Sequence, residues 1–398
     1  MLVMRIGEAF EINPKVTIKR GTEVPFISMD RLEPGRRDVD AVETRSYSSG
    51  SKFEPGDTLM ARITPCLENG KIARYLPKGE PMPAAGSTEF MVLRGRPGIT
   101  ETEFAYYFAI DPTIHDLAVT LMTGTSGRQR VDVSAFSETE IRIPNLETQR
   151  AISLILGSLD DKIASNQTAV STGSDLLISL YREVEKHAAE PFGQVCDVFG
   201  GSTPSTKVDE YWGGSINWAT PTDLTALRGP WLTDTERKIT EAGLQSMSST
   251  LHPPGSILMT SRATIGQVAV AATPVTTNQG FIVIRASEEL TPWIFCQLQD
   301  RVREFEAWSN GATFLEISRG NFKKLPFYRA DPQDLAKFNA KAKPLLDICK
   351  TKQAENITLA KTRDELLPLL MNGKITVREA EQEAAAAGAS VPTEDSEA

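Results

Sequence analysis

Residues 254–285 read "PGSILMTSRATIGQVAVAATPVTTNQGFIVIR". Apolar runs at 257–259, 268–271 and 281–284 are separated by Gly, Pro, Asn and Thr, a pattern that indicates short strands joined by turns. The connection "TTNQG" is crowded with amides and hydroxyls. These groups either make a turn with their own backbone or read another molecule. The stretch alone leaves both alternatives open.

The first half of the chain repeats this stretch at an offset of about 190–200 residues. The matching segments, in chain order, are "PGDTLMAR" at 55–62 with "PGSILMTSR" at 254–262, "NGKIARYL" at 69–76 with "IGQVAVAA" at 265–272, "GSTEFMVLR" at 86–94 with "TNQGFIVIR" at 277–285, and "GTSGRQRVDVSAFSETEIRIP" at 124–144 with "GATFLEISRGNFKKLPF" at 311–327. Because the order is the same, the sequence predicts two copies of one domain.

Each copy is followed by a helical pattern. From Glu147 onward apolar residues recur every three or four positions, as in a coiled-coil seam. The second pattern, 335–370, is less regular, and Pro344 is expected to interrupt its start. Asn166 and Asn356 occupy equivalent seam positions, where a buried amide fixes register. Helices of about 40 residues, roughly 60 Å long, are predicted to form an antiparallel pair holding the globular copies apart.

The predicted fold class is therefore α+β, with two pseudo-repeated globular α/β domains separated by two long antiparallel coiled-coil helices. The predicted divisions are a first globular domain at 1–145, a helical spacer at 146–189, a second globular domain at 190–330, a second spacer at 331–375 and an acidic tail at 376–398. The tail is low in aromatic residues and is expected to be disordered. The seam residues chosen as helix-pair or partner contacts are Ile152, Leu156, Leu159, Ile163, Asn166, Leu177, Leu180, Leu345, Asn356, Leu366 and Leu370.

Composition bounds the class of protein. A chain of 398 residues with 40% hydrophobic content has room for two or three domains with real cores. Neither a signal peptide nor a membrane span is visible, so the sequence predicts a cytosolic protein without a membrane partner. The four cysteines form no CxxC pair, which argues against a disulfide framework or a zinc site and predicts reduced core thiols.

The charge of the chain bears on a nucleic-acid partner. The formal net charge is −9, and none of the predicted segments is basic. The usual electrostatic footprint of a DNA-binding protein is therefore missing. If the chain binds DNA, another subunit must supply much of the attraction to phosphate.

Patterns that would indicate catalysis are missing. His115, His187 and His252 are far apart in the sequence, and no phosphate-binding loop or dinucleotide motif is present. "HPPG" at 252–255 lacks the Asp or Asn before Pro-Pro and the following aromatic that amino-methylating enzymes use. The pair at 160–161, two aspartates, is expected to be solvated on a helix surface. We therefore predict a non-catalytic chain that holds no cofactor or metal.

Several motifs together resemble one known family. They are "GGSTPSTKVDEYWGGSINWATPTDL", "ITEAGLQSMSSTLHPPGSILMTSRATIGQVAV" and "TNQGF" within 200–285, "IPNLETQRAISLILGSLDDKIASNQ" at 143–167 and "DELLPLLMNGKI" at 364–375. The chain resembles the specificity (S) subunit of type I restriction–modification enzymes over roughly residues 5–375. The first domain departs from the second, carrying "TPCLENGKIA" and "STEF", and resembles another variety of recognition domain.

The resemblance implies a DNA-reading adaptor. Each globular domain would read one half of a split, asymmetric target in double-stranded DNA, and the helices would set the gap and dock modification subunits, expected to be two. Those subunits resemble adenine-N6 methyltransferases that use S-adenosylmethionine and flip the base. Separate restriction subunits would add ATP-driven translocation and Mg²⁺-dependent cleavage.

Candidate DNA-reading residues lie in polar loops, because Arg can bind guanine bidentately or hold phosphate. They are Arg62, Lys71, Arg128 and Arg130 in the first domain, and Lys207, Tyr211, Arg262, Thr264, Arg319, Lys323 and Lys324 in the second. Alternatively, "GTSGRQR" is an ordinary solvated loop, and Tyr211 with Trp212 anchors the edge of a core. Asn278 and Gln279 are expected to hold the strand connection beside the recognition surface.

Other functions remain open at this stage. A methylation-only or phage-exclusion system would use the same DNA reading without cleavage. A coiled-coil scaffold whose globular ends bind protein would show no sequence-selective DNA protection. An autonomous methyltransferase–nuclease would require the cofactor and Pro-Pro motifs that this sequence lacks.

Overall fold

The computed structural model describes residues 1–125, 127–262, 264–307 and 316–391. The chain divides into two compact units. Unit 1 comprises Met1–Ala164 and Ile357–Ala398, and unit 2 comprises Ser165–Asn356. The division runs through both long helices, so that each unit contains part of each helix. The predicted domain boundaries, which separate globular domains from spacers, stay a prediction.

Unit 1 contains short strands and helices before the first long helix. In chain order they are β1 Leu2–Arg5, α1 Ile6–Ala9, β2 Phe10–Ile12, β3 Glu23–Ile27, β4 Asp38–Val39, β5 Glu43–Ser46, β6 Ser51–Phe53, β7 Thr58–Ala61, β8 Ile72–Tyr75, β9 Ala84–Gly86, β10 Phe90–Gly95, α2 Phe104–Ile110, α3 Pro112–Thr120, β11 Met122–Thr123, β12 Arg130–Val131, α4 Val133–Glu138 and β13 Glu140–Ile143. The first long helix, α5, spans Leu146–Glu183 and continues into unit 2.

Unit 2 has a corresponding series of elements. They are β14 His187–Pro191, α6 Phe192–Val195, β15 Asp197–Gly200, β16 Trp212–Ala219, α7 Pro221–Ala226, β17 Trp231–Leu232, β18 Lys238–Ile239, α8 Glu241–Gln245, β19 Ile257–Thr260, β20 Val268–Ala271, β21 Val275–Thr277, β22 Phe281–Arg285, α9 Thr291–Asp300, α10 Val302–Ala307, α11 Arg319–Lys324 and β23 Pro326–Arg329. The second long helix, α12, spans Pro332–Met371, and α13 spans Val377–Ala386.

The five-stranded sheets of the two units have the same topology, which confirms the predicted duplication. Unit 1 has a five-stranded sheet in the order β2-β10-β7-β8-β4, and unit 2 has one in the order β15-β22-β19-β20-β17. In each, only the short edge strand is parallel to its neighbour. A second, smaller sheet follows in each unit, β5-β3-β9-β6 in unit 1 and β18-β16-β21 in unit 2. Part of the predicted repeat at 311–327 lies outside the described residues.

The central strands explain why each copy forms a core. All residues of β7, β8, β19 and β20 are buried, as expected for strands covered on both faces. In unit 1 the aromatic helix α2 and the first part of α5 pack on the five-stranded sheet. In unit 2 the corresponding cover comes from α9 and the first part of α12.

The long helices pair antiparallel within unit 2, as the seam pattern predicts. The side-chain amide of Asn166 donates to Asn356 Oδ1 at 2.9 Å, and further along α5 the Cys349 thiol donates to the Val170 carbonyl. The expected interruption at Pro344 is wrong, because α12 continues through this residue. Burial of Ala342, Leu346 and Cys349 against unit 2 outweighs the missing backbone hydrogen bond.

The expectation of a disordered tail is wrong for residues 377–386. Helix α13 begins at a capping box in which the Thr376 hydroxyl accepts from the Glu379 N–H and the Glu379 carboxylate accepts from the Thr376 N–H and hydroxyl. Ala380 and Ala384 are fully buried in the unit 1 core. An alanine-rich segment with a capping box forms a helix when such a surface is available. Residues 392–398 of the predicted tail lie outside the described residues.

Candidate nucleic-acid interface

An arginine cluster in unit 1 forms where β7 ends. Arg62 follows β7, and a bridge between Ile63 and Arg130 brings the loop before β12 beside it. The Glu89 carboxylate accepts from Arg130 Nε at 3.0 Å and from Nη2 at 2.7 Å. Arg62 Nε lies 3.8 Å from the same carboxylate. The hydrogen bonds from Arg130 lower the pKa of Glu89, so the carboxylate stays ionised at neutral pH and occupies the fork of Arg130.

Unit 2 has the equivalent arrangement where β19 ends. Arg262 bridges to Glu316, and Arg262 Nη2 lies 2.8 Å from the Glu316 carboxylate. The Ile317 N–H donates to the Ser261 carbonyl at 3.1 Å, which fixes the two segments together. In both units, therefore, the arginine that follows the central strand lies within ion-pair distance of a glutamate.

The other two predicted residues of unit 1, Arg128 and Lys71, do not contact the Glu89 carboxylate. Arg128 is exposed in a loop closed by a hydrogen bond from its own N–H to the Thr125 carbonyl at 3.0 Å. Lys71 is half-buried, and its Nζ donates to the Met29 carbonyl at 3.0 Å. Arg128 is therefore available to a ligand, whereas Lys71 holds a neighbouring loop.

In unit 2 the predicted residues fall into two groups. Exposed side chains are Lys207, Thr264, Arg319, Lys323 and Lys324, the last three on α11, which begins at a Ser318 cap. Tyr211 is half-buried in a single turn of 3-10 helix before β16. Its carbonyl accepts from the Thr240 N–H at 3.0 Å, and Trp212 packs on a small core formed by Ile216, Trp218 and Ile239. This arrangement favours the core-edge interpretation for Trp212.

The "TTNQG" connection is a turn that holds the sheet end, as expected. The Asn278 N–H donates to the Ala219 carbonyl at 3.0 Å, and its side-chain oxygen accepts from the Gly280 N–H at 2.8 Å. Gln279 Oε1 accepts from the Thr203 hydroxyl at 2.6 Å. Gly201 packs so closely that a Cβ there would lie 2.0 Å from the Asn278 carbonyl oxygen. Gly201, the residue directly before "STPS", is thus a packing requirement of this turn.

Sequence reasoning missed Arg237, which lies directly before β18. Its guanidinium carbon is 3.7 Å from the centroid of the Trp212 ring and 5.3 Å from that of Trp218. In the sequence, the signals for this contact are the two tryptophans near the ends of β16 and the Arg-Lys pair about 20 residues later. Only the register of β16 against β18 shows that Arg237 lies beside these tryptophans.

The predicted seam residues of the helices are mostly buried inside the units. Unit 1 buries Ile152, Leu156, Leu159, Ile163, Leu366 and Leu370; unit 2 buries Leu177, while Leu180 and Leu345 are partly buried against its core. Their role in binding a partner stays a prediction. The exposed apolar side chains of the same helices are Leu154, Leu176, Ile348, Ile357 and Leu369.

The expectation that Asp160 is a solvated surface charge is wrong. Asp160 is 5% exposed. Its carboxylate accepts hydrogen bonds from Arg363 Nη1 at 2.7 Å and from the Tyr107 hydroxyl at 2.8 Å. Burial raises the pKa of Asp160, and Arg363 opposes this effect. Asp161 is largely exposed but pairs with Arg37. Helix α5 therefore directs the side chain of Asp160 into the core of unit 1, whereas Asp161 stays at the surface.

These charges fasten the edge strand β4 to the helices within unit 1. Arg37 donates to Asp38 at 2.9 Å and to the Gly157 carbonyl at 3.1 Å, and Asp38 also accepts from Arg74 on β8 at 2.7 Å. Arg363 donates to the Gly35 carbonyl at 3.0 Å. The loop before β4 is thus held by both long helices.

Unit 2 achieves the same attachment with neutral groups. Trp231 on β17 donates from its indole to the Leu346 carbonyl at 2.8 Å. Its backbone N–H and carbonyl each form a 3.1 Å hydrogen bond with the Gln353 side chain. The equivalent edge strand is therefore fixed to α12 without a buried ion pair.

All four cysteines are free thiols; Cys196, Cys296 and Cys349 are buried, and Cys66 is partly buried against the core of unit 1. Among the described residues no group of His, Cys, Asp or Glu could hold a metal ion. No helix in the described part of the chain is both long and apolar enough to cross a membrane.

The fold is that of a tandemly duplicated α+β protein with two long helices. The family model "Type I restriction modification DNA specificity domain" matches residues 1–171 and 190–328. Because these matches cover more than half of the chain, the chain belongs to this family.

Known relatives are similar over part of their length. The chain is 36% identical over 173 residues to the type I restriction enzyme MjaIX specificity subunit of Methanocaldococcus jannaschii, covering 43% of this chain and 40% of that protein. It is 30% identical over 149 residues to the EcoAI specificity subunit of Escherichia coli, covering 36% and 25%. These alignments span less than half of either relative.

A solved structure extends the similarity of fold to nearly the whole chain. The crystal structure of a type I restriction–modification system S subunit from M. genitalium matches with a TM-score of 0.56 at 14% identity. The match covers 93% of this chain and 96% of that one. At this identity the similarity concerns the fold alone.

Proposed function

We propose that the chain is the DNA sequence-specificity subunit of a type I restriction–modification system. Unit 1 and unit 2 each read one half of a bipartite, asymmetric target in double-stranded DNA. The long helices dock modification subunits, two in the complete complex, and restriction subunits join them. The chain itself performs no catalysis, and S-adenosylmethionine, ATP and Mg²⁺ belong to the partner subunits.

The observation that carries this proposal is the duplication. Each family match includes a globular copy that has the same five-stranded sheet, a smaller second sheet and a long helix after it. A target with two different halves requires two similar but non-identical reading domains. The copies differ in their second sheets, with four strands in unit 1 and three in unit 2, which fits an asymmetric target.

The charge of the chain supports a division of labour with partners. With a formal net charge of −9, the chain alone lacks the positive surface that gives most DNA-binding proteins their affinity. Modification subunits that surround the duplex would supply the phosphate contacts. The exposed apolar side chains Leu176 and Ile348 on the helices of unit 2 are suitable for the core of a protein interface.

The test is to co-express the chain with its modification partner and map methylated adenines genome-wide. We expect one bipartite motif with a fixed gap. Exchanging residues 190–330 for another recognition domain should change one half of the motif and leave the other half and the gap intact. A change in both halves or in neither would refute the assignment of one half-site to each domain.

The same preparation separates the alternatives. Sequence-selective protection of DNA by the assembled complex is expected, and its absence would favour the protein-binding scaffold. Methylation without cleavage, in cells that carry every partner gene, would favour a methylation-only or phage-exclusion system.

A further inference from the structure

The small second sheet of unit 2 carries an arginine stacked on tryptophan. Arg237 lies 3.7 Å from the centroid of Trp212, whose ring meets Trp218 edge-to-face at 5.0 Å. Both indoles are tied down, Trp212 Nε1 to the Ser205 carbonyl at 3.2 Å and Trp218 Nε1 to the Ser202 carbonyl at 3.0 Å. The guanidinium therefore rests on a fixed aromatic platform.

The donors of Arg237 are not used inside the described part of the chain. The residue is exposed, and no carboxylate of the described residues lies within ion-pair distance of it; its neighbour Lys238 pairs with Asp234 at 2.9 Å. The stack uses the face of the guanidinium, whereas the five N–H groups lie in its plane. Their hydrogen-bonding capacity is thus available to a ligand.

Two of the arginines predicted from sequence, Arg130 and Arg262, are held by carboxylates. Arg130 gives two donors to Glu89, and Arg262 is paired with Glu316. A base edge must compete with these carboxylates for the same fork. Arg237 has no such competitor among the described residues, and its stacking reduces the side-chain entropy lost on binding.

The same device occurs in unit 1 at the corresponding strands. Arg45 on β5 has its guanidinium carbon 4.1 Å from the centroid of Phe26 on β3. Strand β3 pairs antiparallel with β5 and parallel with β9, as β16 does with β18 and β21. Arg45 differs in one respect, because Glu43 lies 2.8 Å from its Nη2. An arginine–aromatic stack is therefore a shared feature of the second sheet, free of a carboxylate partner only in unit 2.

We infer that Arg237 is a specificity-determining residue, which reads a guanine in the half-site of unit 2 through its stacked guanidinium. This inference rests on the proposed function. A planar fork held on an aromatic ring matches the O6 and N7 acceptors of guanine in the major groove. The second sheet with Trp212 and Trp218 then forms part of the DNA-facing surface of unit 2.

The experiment compares Arg237→Ala and Arg237→Lys with the unchanged protein, each assembled with the modification subunit, by mapping methylated adenines. In the Ala variant we expect one guanine of the unit 2 half-site to lose about 10- to 100-fold of its discrimination. The Lys variant keeps the charge but loses the planar fork, so the same position should relax. Lys238→Ala, which removes an adjacent charge already paired with Asp234, is the matched control and should leave the motif unchanged.

Two outcomes would overturn the inference. Uniformly weaker methylation in the Ala variant, restored by Lys, would mark a phosphate contact. An unchanged motif with a lower melting temperature would mark a purely structural stack. Both are distinct from failure of the proposed function, in which the unchanged protein would direct no sequence-specific methylation at all.

Discussion

Replacing Arg363 with Met tests the buried ion pair of unit 1. Arg363 and Asp160 are each 5% exposed and meet at 2.7 Å. The substitution keeps a long unbranched side chain, so the main loss is the charge. It leaves a buried carboxylate whose remaining hydrogen-bond donor is the Tyr107 hydroxyl.

The expected cost follows from what Asp160 loses. Removing one partner of a buried pair typically destabilises by about 3–5 kcal/mol. Tyr107 and the nearby Arg37 still support the carboxylate, so we expect the lower end, about 3 kcal/mol. For a domain of this size that corresponds to a drop in melting temperature of roughly 6–12 °C.

The chain offers a built-in way to assign the effect to one unit. All five tryptophans lie between residues 212 and 308, within unit 2. Thermal unfolding followed by circular dichroism reports both units, whereas tryptophan fluorescence reports unit 2. We expect Arg363→Met to lower the midpoint temperature of the transition seen by circular dichroism. The midpoint of the transition seen by tryptophan fluorescence should change far less.

The control is Lys361→Met on the same helix. Lys361 is 73% exposed and lies 3.9 Å from Glu365, and such pairs contribute at most about 1 kcal/mol. Its melting temperature should change by no more than a few degrees. Equal effects of Lys361→Met and Arg363→Met would refute the argument that burial makes the second pair costly to break.

A double variant separates an unpaired charge from lost packing. Asp160→Leu with Arg363→Met removes both buried charges. The Tyr107 hydroxyl and the Gly35 carbonyl lose partners, at about 1 kcal/mol each, and the exposed Asp364 carboxylate loses a surface ion pair of at most about 1 kcal/mol. The double variant should therefore be more stable than Arg363→Met alone. A double variant that is less stable than the single would show that the ion pair itself, rather than an uncompensated carboxylate, governs stability.

Three further predictions concern other features. His252 is fully buried beside Arg285, and its burial, together with the charge of Arg285, lowers its pKa to about 4. Between this value and the pKa of about 6.5 in the unfolded chain, the unfolded chain binds more protons, so the stability of unit 2 should fall as the pH drops from about 6.5 towards 4. The substitution His252→Asn should weaken this pH dependence of the unfolding transition followed by fluorescence. Replacing Asn166 and Asn356 together with Leu should raise the melting temperature, because one buried and one half-buried amide give way to apolar side chains. A lower value would contradict the view that the amides cost stability. Arg128→Ala should reduce methylation of the cognate site, and unchanged modification in the assembled complex would remove Arg128 from the interface.

The sequence predicted the duplicated fold because its signals are local or repeated. Apolar runs bounded by Gly and Pro marked β7, β8, β19 and β20, and the order of segments matched in the two halves. The seam pattern marked both long helices, although Pro344 was expected to interrupt the second. Helix α13 carried a readable capping box at Thr376 and Glu379, which the acidic composition of the tail obscured.

Which charges are buried, paired or free was decided only in three dimensions. Asp160 and Arg363 are 203 positions apart in the sequence. The residues around either one do not predict that it pairs with the other. The pairing of Arg130 with Glu89 and the stacking of Arg237 on Trp212 likewise depend on strand register. Apolar periodicity is written into neighbouring residues, whereas the state of a charged side chain depends on whichever distant group the folded chain places within a few ångströms of it.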